Sequence, residues 1–124
     1  MEEKDPFTQM VIGAAIEVHR EMGPGLLESV YQACMEQELR SRGIEFDPQC
    51  HWPLVYKGVK LDDFFIIDLY FPGRLVVELK SVEKLIPIFD AQLLTYLKLT
   101  RTRVGLLVNF NVPCLIQGVK RMVL

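Results

Sequence analysis

The sequence predicts a single α/β or α+β domain over residues 1–124, on three observations. Apolar residues recur at helical spacing as far as Gly43, then change to the alternating and continuous runs of strands. A further helical stretch opens at Pro87, between two strand-like runs, so helices and strands are interleaved. Half of the 124 residues are hydrophobic and 24% are charged, which supplies a real core and argues against disorder. No repeat, linker or low-complexity segment divides the chain.

Asp5-Pro6 is a helix-start signal, with Asp as cap and Pro in the first turn. Phe7, Met10, Val11, Ala14, Ala15 and Val18 then mark the apolar stripe of a helix to about Met22, ended by Gly23-Pro24-Gly25. A second helix is expected from Leu26 to Arg42, with Arg40 and Arg42 favouring its C-terminal dipole and Gly43 as its cap. Ile44–Phe46 and His51–Tyr56 read as extended, with Lys57-Gly58 as a turn. Leu61–Phe71 and Leu75–Val82 are strand-like, rich in Phe, Ile, Val and Leu, and Pro72-Gly73 lies between them. Pro87 opens a third helix, Ile88 to Leu99. Val104–Phe110 suits a strand covered on both faces, and Gly118–Leu124 a last strand.

The stretch VVELKS, residues 76–81, carries the first chemical signal. Glu78 and Lys80 are two apart in a strand and so share a face, while Val77 and Leu79 point the other way. Asp68 lies on the preceding strand. If Pro72-Gly73-Arg74 is a three-residue loop, Phe71 pairs with Leu75 and Asp68 falls opposite Glu78. A two-residue turn would aim it away. Two carboxylates facing each other repel unless a cation stands between them. Carboxylate oxygens suit Mg²⁺ or Mn²⁺, which polarises a phosphoryl oxygen and acidifies a bound water. Lys80 on the same face would hold that water or stabilise charge on the phosphate. Metal-dependent phosphodiester hydrolysis is the chemistry such a face performs.

Other classes are disfavoured. Cys34, Cys50 and Cys114 are odd in number and unpaired by any C-x-x-C spacing, which fits reduced thiols better than a disulfide frame or zinc site. His19 and His51 are isolated, and glycine-rich phosphate loops and G-x-S-x-G elbows are absent. The opening MEEKDPFTQ lacks a leader pattern and no apolar run approaches a membrane span, so a cytoplasmic protein without membrane contact is expected. The net charge of −2 is no footprint for a protein that coats nucleic acid. It is compatible with a nuclease, whose metal-binding acids are neutralised on loading.

Asp68 followed by Glu78-Leu79-Lys80 resembles the D…E-x-K signature of the PD-(D/E)XK nuclease superfamily. QLLTY, Gln92 to Tyr96, resembles the Q-x-x-x-Y helix of its RecB-like members, and GLLESVY, Gly25 to Tyr31, the signature of its GxxExxY proteins. The resemblance extends through VYKGVKLD, VELKSVEKL, AQLLTYLKL and LLVNFNVP, nearly the whole chain. It implies a restriction-endonuclease-like α-β-β-β-α-β core, an α/β fold with a central mixed sheet flanked by helices. By the same resemblance Glu28, Asp68 and Glu78 bind Mg²⁺ or Mn²⁺, Lys80 is catalytic, and Gln92 and Tyr96 line the site. Gln92 and Tyr96, like Glu28 and Tyr31, are spaced to share a helix face. DNA is the implied substrate, and the apolar composition adds the expectation of a homodimer. Lys98, Arg101, Arg103, Lys120 and Arg121 are candidate phosphate contacts. Two positions depart from the family pattern: Ile66 stands where an Arg is common, and Phe89 where a His is common.

Overall fold

The computed structural model describes residues 5–124. Residues 1–4, part of the opening read as lacking a leader, lie outside the described residues. Asp5 caps the first helix, α1 (Pro6–Met22): its carboxylate accepts from the Phe7 amide and the Thr8 hydroxyl, both at 3.0 Å. Such a cap contributes about 1 kcal/mol, and Pro6 sits where a missing N–H costs nothing. Phe7, Val11, Ala14, Ala15 and Val18 are buried at the expected spacing. The second helix, α2 (Glu28–Ser41), starts two residues later than expected and makes Glu28 its first residue.

Five strands follow the order β1 (Asp47–Tyr56), β2 (Val59–Phe71), β3 (Leu75–Lys80), β4 (Val104–Asn109) and β5 (Val119–Val123) across one sheet. All pairs are antiparallel except β3–β4, which is parallel and joined through α3 (Pro87–Thr100). The sheet is therefore mixed and restriction-endonuclease-like, as expected. A short 3₁₀ turn, Leu115–Gly118, precedes β5 and was not anticipated. Nor was the unbroken β1, since Ile44–Phe46 is not strand and pairing starts at Asp47. Pro48 and Pro53 are tolerated there because β1 is an edge strand whose outer amides need no partner.

Both faces of β3 are covered. Leu75, Val77 and Leu79 pack with α1, α2, Leu106, Val108 and Phe110, whereas Val76 packs with Leu107 and with Leu93, Tyr96 and Leu97 of α3. Period 2 therefore sends Glu78 and Lys80 toward the α3 side. Helix α3 sits close: a Cβ on Gly105 of β4 would stand 2.9 Å from Leu93 Cδ1. Among the described residues no helix is long and apolar enough to cross a membrane.

Candidate active site

The Phe71–Leu75 pair forms, closed by Arg74 N–H donating to the Phe71 carbonyl at 2.9 Å, with Gly73 at φ +74°. This is the three-residue loop on which the face of Asp68 depends, and Pro72-Gly73 is the pair that such a turn selects. The ladder runs Phe71–Leu75, Tyr70–Val76 and Leu69–Val77. One step further, Asp68 meets Glu78 and the backbone ladder stops. Side chains replace it. The Asp68 amide donates to Glu78 Oε2 at 2.9 Å, and the Leu79 amide donates to Asp68 Oδ2 at 2.8 Å. Each carboxylate thus occupies an amide of the opposite strand, which fixes both acids at the point where β2 leaves β3.

Two glutamines that the sequence reading passed over hold this point. Gln49 of β1 donates to Asp68 Oδ1 at 3.2 Å, and Gln32 of α2 donates to the Asp68 carbonyl at 2.9 Å. Their signal in the sequence is weak, because a surface glutamine looks the same as one reaching for a strand.

Glu78 is only 4% exposed. Burial, and then the neighbouring Asp68 charge, push its carboxyl up to about 8, against the opposing pull of the Asp68 amide and of Lys80. Asp68 is also raised, by burial first, although the amide of Leu79 and the side chain of Gln49 favour its charged form. Desolvation, joined at Glu78 by the Asp68 charge, outweighs the hydrogen bonds and the ammonium together. The Glu28 charge pushes both carboxyls in the same direction, so this exposed first residue of α2 acts electrostatically on the pair. Among the described residues, however, no three His, Cys, Asp or Glu side chains stand close enough to form a metal-holding group. The donor set is two converging carboxylates with a third acid in electrostatic range. That suits a small hard cation completing its shell with water and phosphate oxygens, which is how Mg²⁺ is ordinarily held, and does not suit an all-protein cage.

Lys80 shares the Glu78 face yet makes none of the ion pairs among the described residues. Its Nζ stands 4.5 Å from the centroid of the Phe89 ring. Lys80, Phe89, Gln92, Ile88, Ala91 and Thr95 line an open cleft of about 530 Å³ along α3. Gln92 Nε2 donates to the Tyr96 hydroxyl at 3.2 Å, so the i, i+4 pair does share a face. Tyr96 is 5% exposed, and burial, then the charges of Glu78 and Asp68, raise its hydroxyl. Tyr96 is therefore within electrostatic range of both carboxylates, and Gln92 is bonded to it.

Tyr31 does different work. Its ring stacks on Phe110 with centroids 4.3 Å apart, and its hydroxyl donates to the Gly23 carbonyl at 2.6 Å and accepts from the Leu26 amide at 3.2 Å. It pins the Gly23–Leu26 loop that leads into Glu28. Of the basic residues considered for phosphate contact, Lys120 is engaged with Asp90. Ile66 is exposed on β2, two residues before Asp68.

Comparison with known proteins agrees with this architecture. A family model of the PD-(D/E)XK nuclease superfamily matches residues 5–122. No curated protein and no solved structure matches the chain. The match runs from the Asp5 cap into β5, and so takes in both strand-borne acids, Lys80 and the Gln92–Tyr96 pair. The chain belongs to the PD-(D/E)XK nuclease superfamily.

Proposed function

We propose that this protein is a metal-dependent nuclease that hydrolyses phosphodiester bonds of DNA. The observation that carries the reading is the buried Glu78 and half-buried Asp68, locked across the parting strands with the Lys80 ammonium on the same face and outside the ion pairs of the described residues. Asp68 and Glu78 would hold Mg²⁺ or Mn²⁺, with Glu28 as the third acid from α2. The ion, when bound, polarises a phosphoryl oxygen and makes a bound water acidic. Lys80 orients the attacking water or neutralises charge on the phosphate, a part that its free N–H donors suit. Gln92 and Tyr96 line the substrate side. Relation to the GxxExxY proteins, a cytoplasmic setting and a homodimer complete the reading. The exposed apolar residues Val55, Tyr56 and Val59 at the tip of the β1–β2 ribbon support the dimer.

A second reading has specific support. Ile66 and Phe89 put apolar side chains where the family commonly has polar ones, and no three-acid group forms among the described residues. A nuclease-fold scaffold without turnover would look like this. Linear, circular and single-stranded DNA incubated with Mn²⁺ separates the two. Wild type should cleave, EDTA should stop it, and Lys80→Ala should lose about 10²-fold or more while remaining folded. Equal trace cleavage by both proteins would mark contamination and favour the scaffold.

A further inference from the structure

The geometry points to Phe89 as a positioning residue: its ring holds the Lys80 ammonium off the Asp68 and Glu78 carboxylates and over the α3 cleft. This rests on the nuclease reading only for its effect on rate. The placement itself follows from the contacts. Lys80 is two residues from Glu78 on one strand face, so its flexible four-carbon stem is long enough to fold back onto the acids. The half-buried Asp68 and buried Glu78 attract it whenever they are ionised. Yet no ion pair joins Lys80 to either acid, and no side chain accepts a hydrogen bond from Nζ among the described residues. Among the described residues its ammonium instead lies over the Phe89 face, at 4.5 Å from the ring centroid, while its charge still acts on both acids from a distance.

A phenyl ring offers the ammonium a quadrupole and takes none of its three donors. A hydrogen-bonding residue at position 89 would consume a donor. The ring packs against the cluster of Ile67, Tyr70, Val76 and Leu93, and its backbone is anchored in the first turn of α3, where the Phe89 amide bonds the Ile86 carbonyl at 3.0 Å. Two consequences follow. The acids stay free for a cation, and the ammonium stays free for water or a phosphoryl oxygen in the cleft it shares with Gln92. The departure from the common His thus acquires a function of its own.

The test compares wild type, Phe89→Leu and Phe89→Trp as the full chain. Leu keeps an apolar side chain without the ring face, and Trp keeps the face. In metal-free protein, the Lys80 ε-methylene signal, assigned by its loss in Lys80→Arg, should be shifted upfield by the ring in wild type and in Phe89→Trp and unshifted in Phe89→Leu. Calorimetry with Mn²⁺ alone should show about fivefold weaker binding in Phe89→Leu, as the released ammonium falls onto the acids. On DNA, Phe89→Leu should lower kcat about tenfold with KM within about twofold, and Phe89→Trp should restore it. An unshifted wild-type signal, or equal Mn²⁺ affinity in all three proteins, would overturn the placement. Equal kcat in all three would overturn the role in rate. If wild type cleaves nothing, the nuclease reading fails alone, and the methylene shift and Mn²⁺ affinity still decide where Lys80 sits.

Discussion

Removing the charge of Glu78 while keeping its shape should make the metal-free protein more stable at alkaline pH. The perturbation is Glu78→Gln, whose amide oxygen can still accept from the Asp68 amide as Oε2 does at 2.9 Å. In wild type the carboxyl is raised from 4.5 to about 8, by burial first and by Asp68 second. The stability linked to its proton is therefore fully present below about pH 4.5 and lost as pH rises through about 8. At about 1.4 kcal/mol per pKa unit, a rise from 4.5 to about 8 corresponds to about 5 kcal/mol across that window. For a chain of this length that is on the order of 10–20 °C in Tm. Thermal melts of both proteins in EDTA, stepped from about pH 5 to about pH 9, read it directly. The Tm values should nearly coincide at the acid end. They should then diverge, with Glu78→Gln well above wild type at the alkaline end. Parallel curves over the whole range would refute the claim that desolvation and repulsion dominate this carboxyl.

Three further outcomes follow from the same geometry. Mn²⁺ or Mg²⁺ should raise the wild-type Tm by several degrees, and calorimetry in buffers of different ionisation enthalpy should find about one proton released per ion near neutral pH. Curves identical with and without metal would argue against the carboxylate site. Tyr31→Phe should cost about 1–3 kcal/mol in denaturant melts, because the Gly23 carbonyl and Leu26 amide both lose their hydroxyl partner. Its clearest mark should be faster hydrogen exchange at Leu26. Gly105→Ala should destabilise by about 1–3 kcal/mol, since the new methyl would stand 2.9 Å from Leu93 Cδ1. An unchanged melt would mean that α3 can shift without cost.

The sequence left two loop lengths open at Pro72-Gly73-Arg74; the observed Phe71–Leu75 pair selects the three-residue loop, and strand parity then turns that loop length into one register for Asp68. The buried, two-sided character of β4 was legible from its continuous apolar run. What the sequence hid lies at the end of the β2–β3 ladder. Periodicity describes which way side chains point, and says nothing of a carboxylate bonding to the opposite strand's amide in place of a carbonyl. Tyr31 illustrates a second limit. Its spacing from Glu28 is right for a shared helix face, but only the packed structure shows the hydroxyl committed to the Gly23–Leu26 loop. The Lys80–Phe89 contact is invisible for the same reason, since eight residues and a change of element lie between the two.

The parting of β2 from β3 also divides the molecule into regions of unequal resistance to opening. At Leu69 and Tyr70, β2 has a strand on either side; from Val59 to Ile67, β1 is its sole strand neighbour among the described residues. Only the base of that ribbon is tied down, through Trp52 against Tyr70 at 5.8 Å and Phe65 against Tyr96 at 6.0 Å. Amides near the ribbon tip can therefore exchange by fraying, whereas those of β3 and β4 need the whole fold to come apart. Asp68 stands on the seam between these regimes. Glu78 thus belongs to the β3–β4 slab and Asp68 to the root of the ribbon, and the two exchanged amide hydrogen bonds tie the acids together across that boundary.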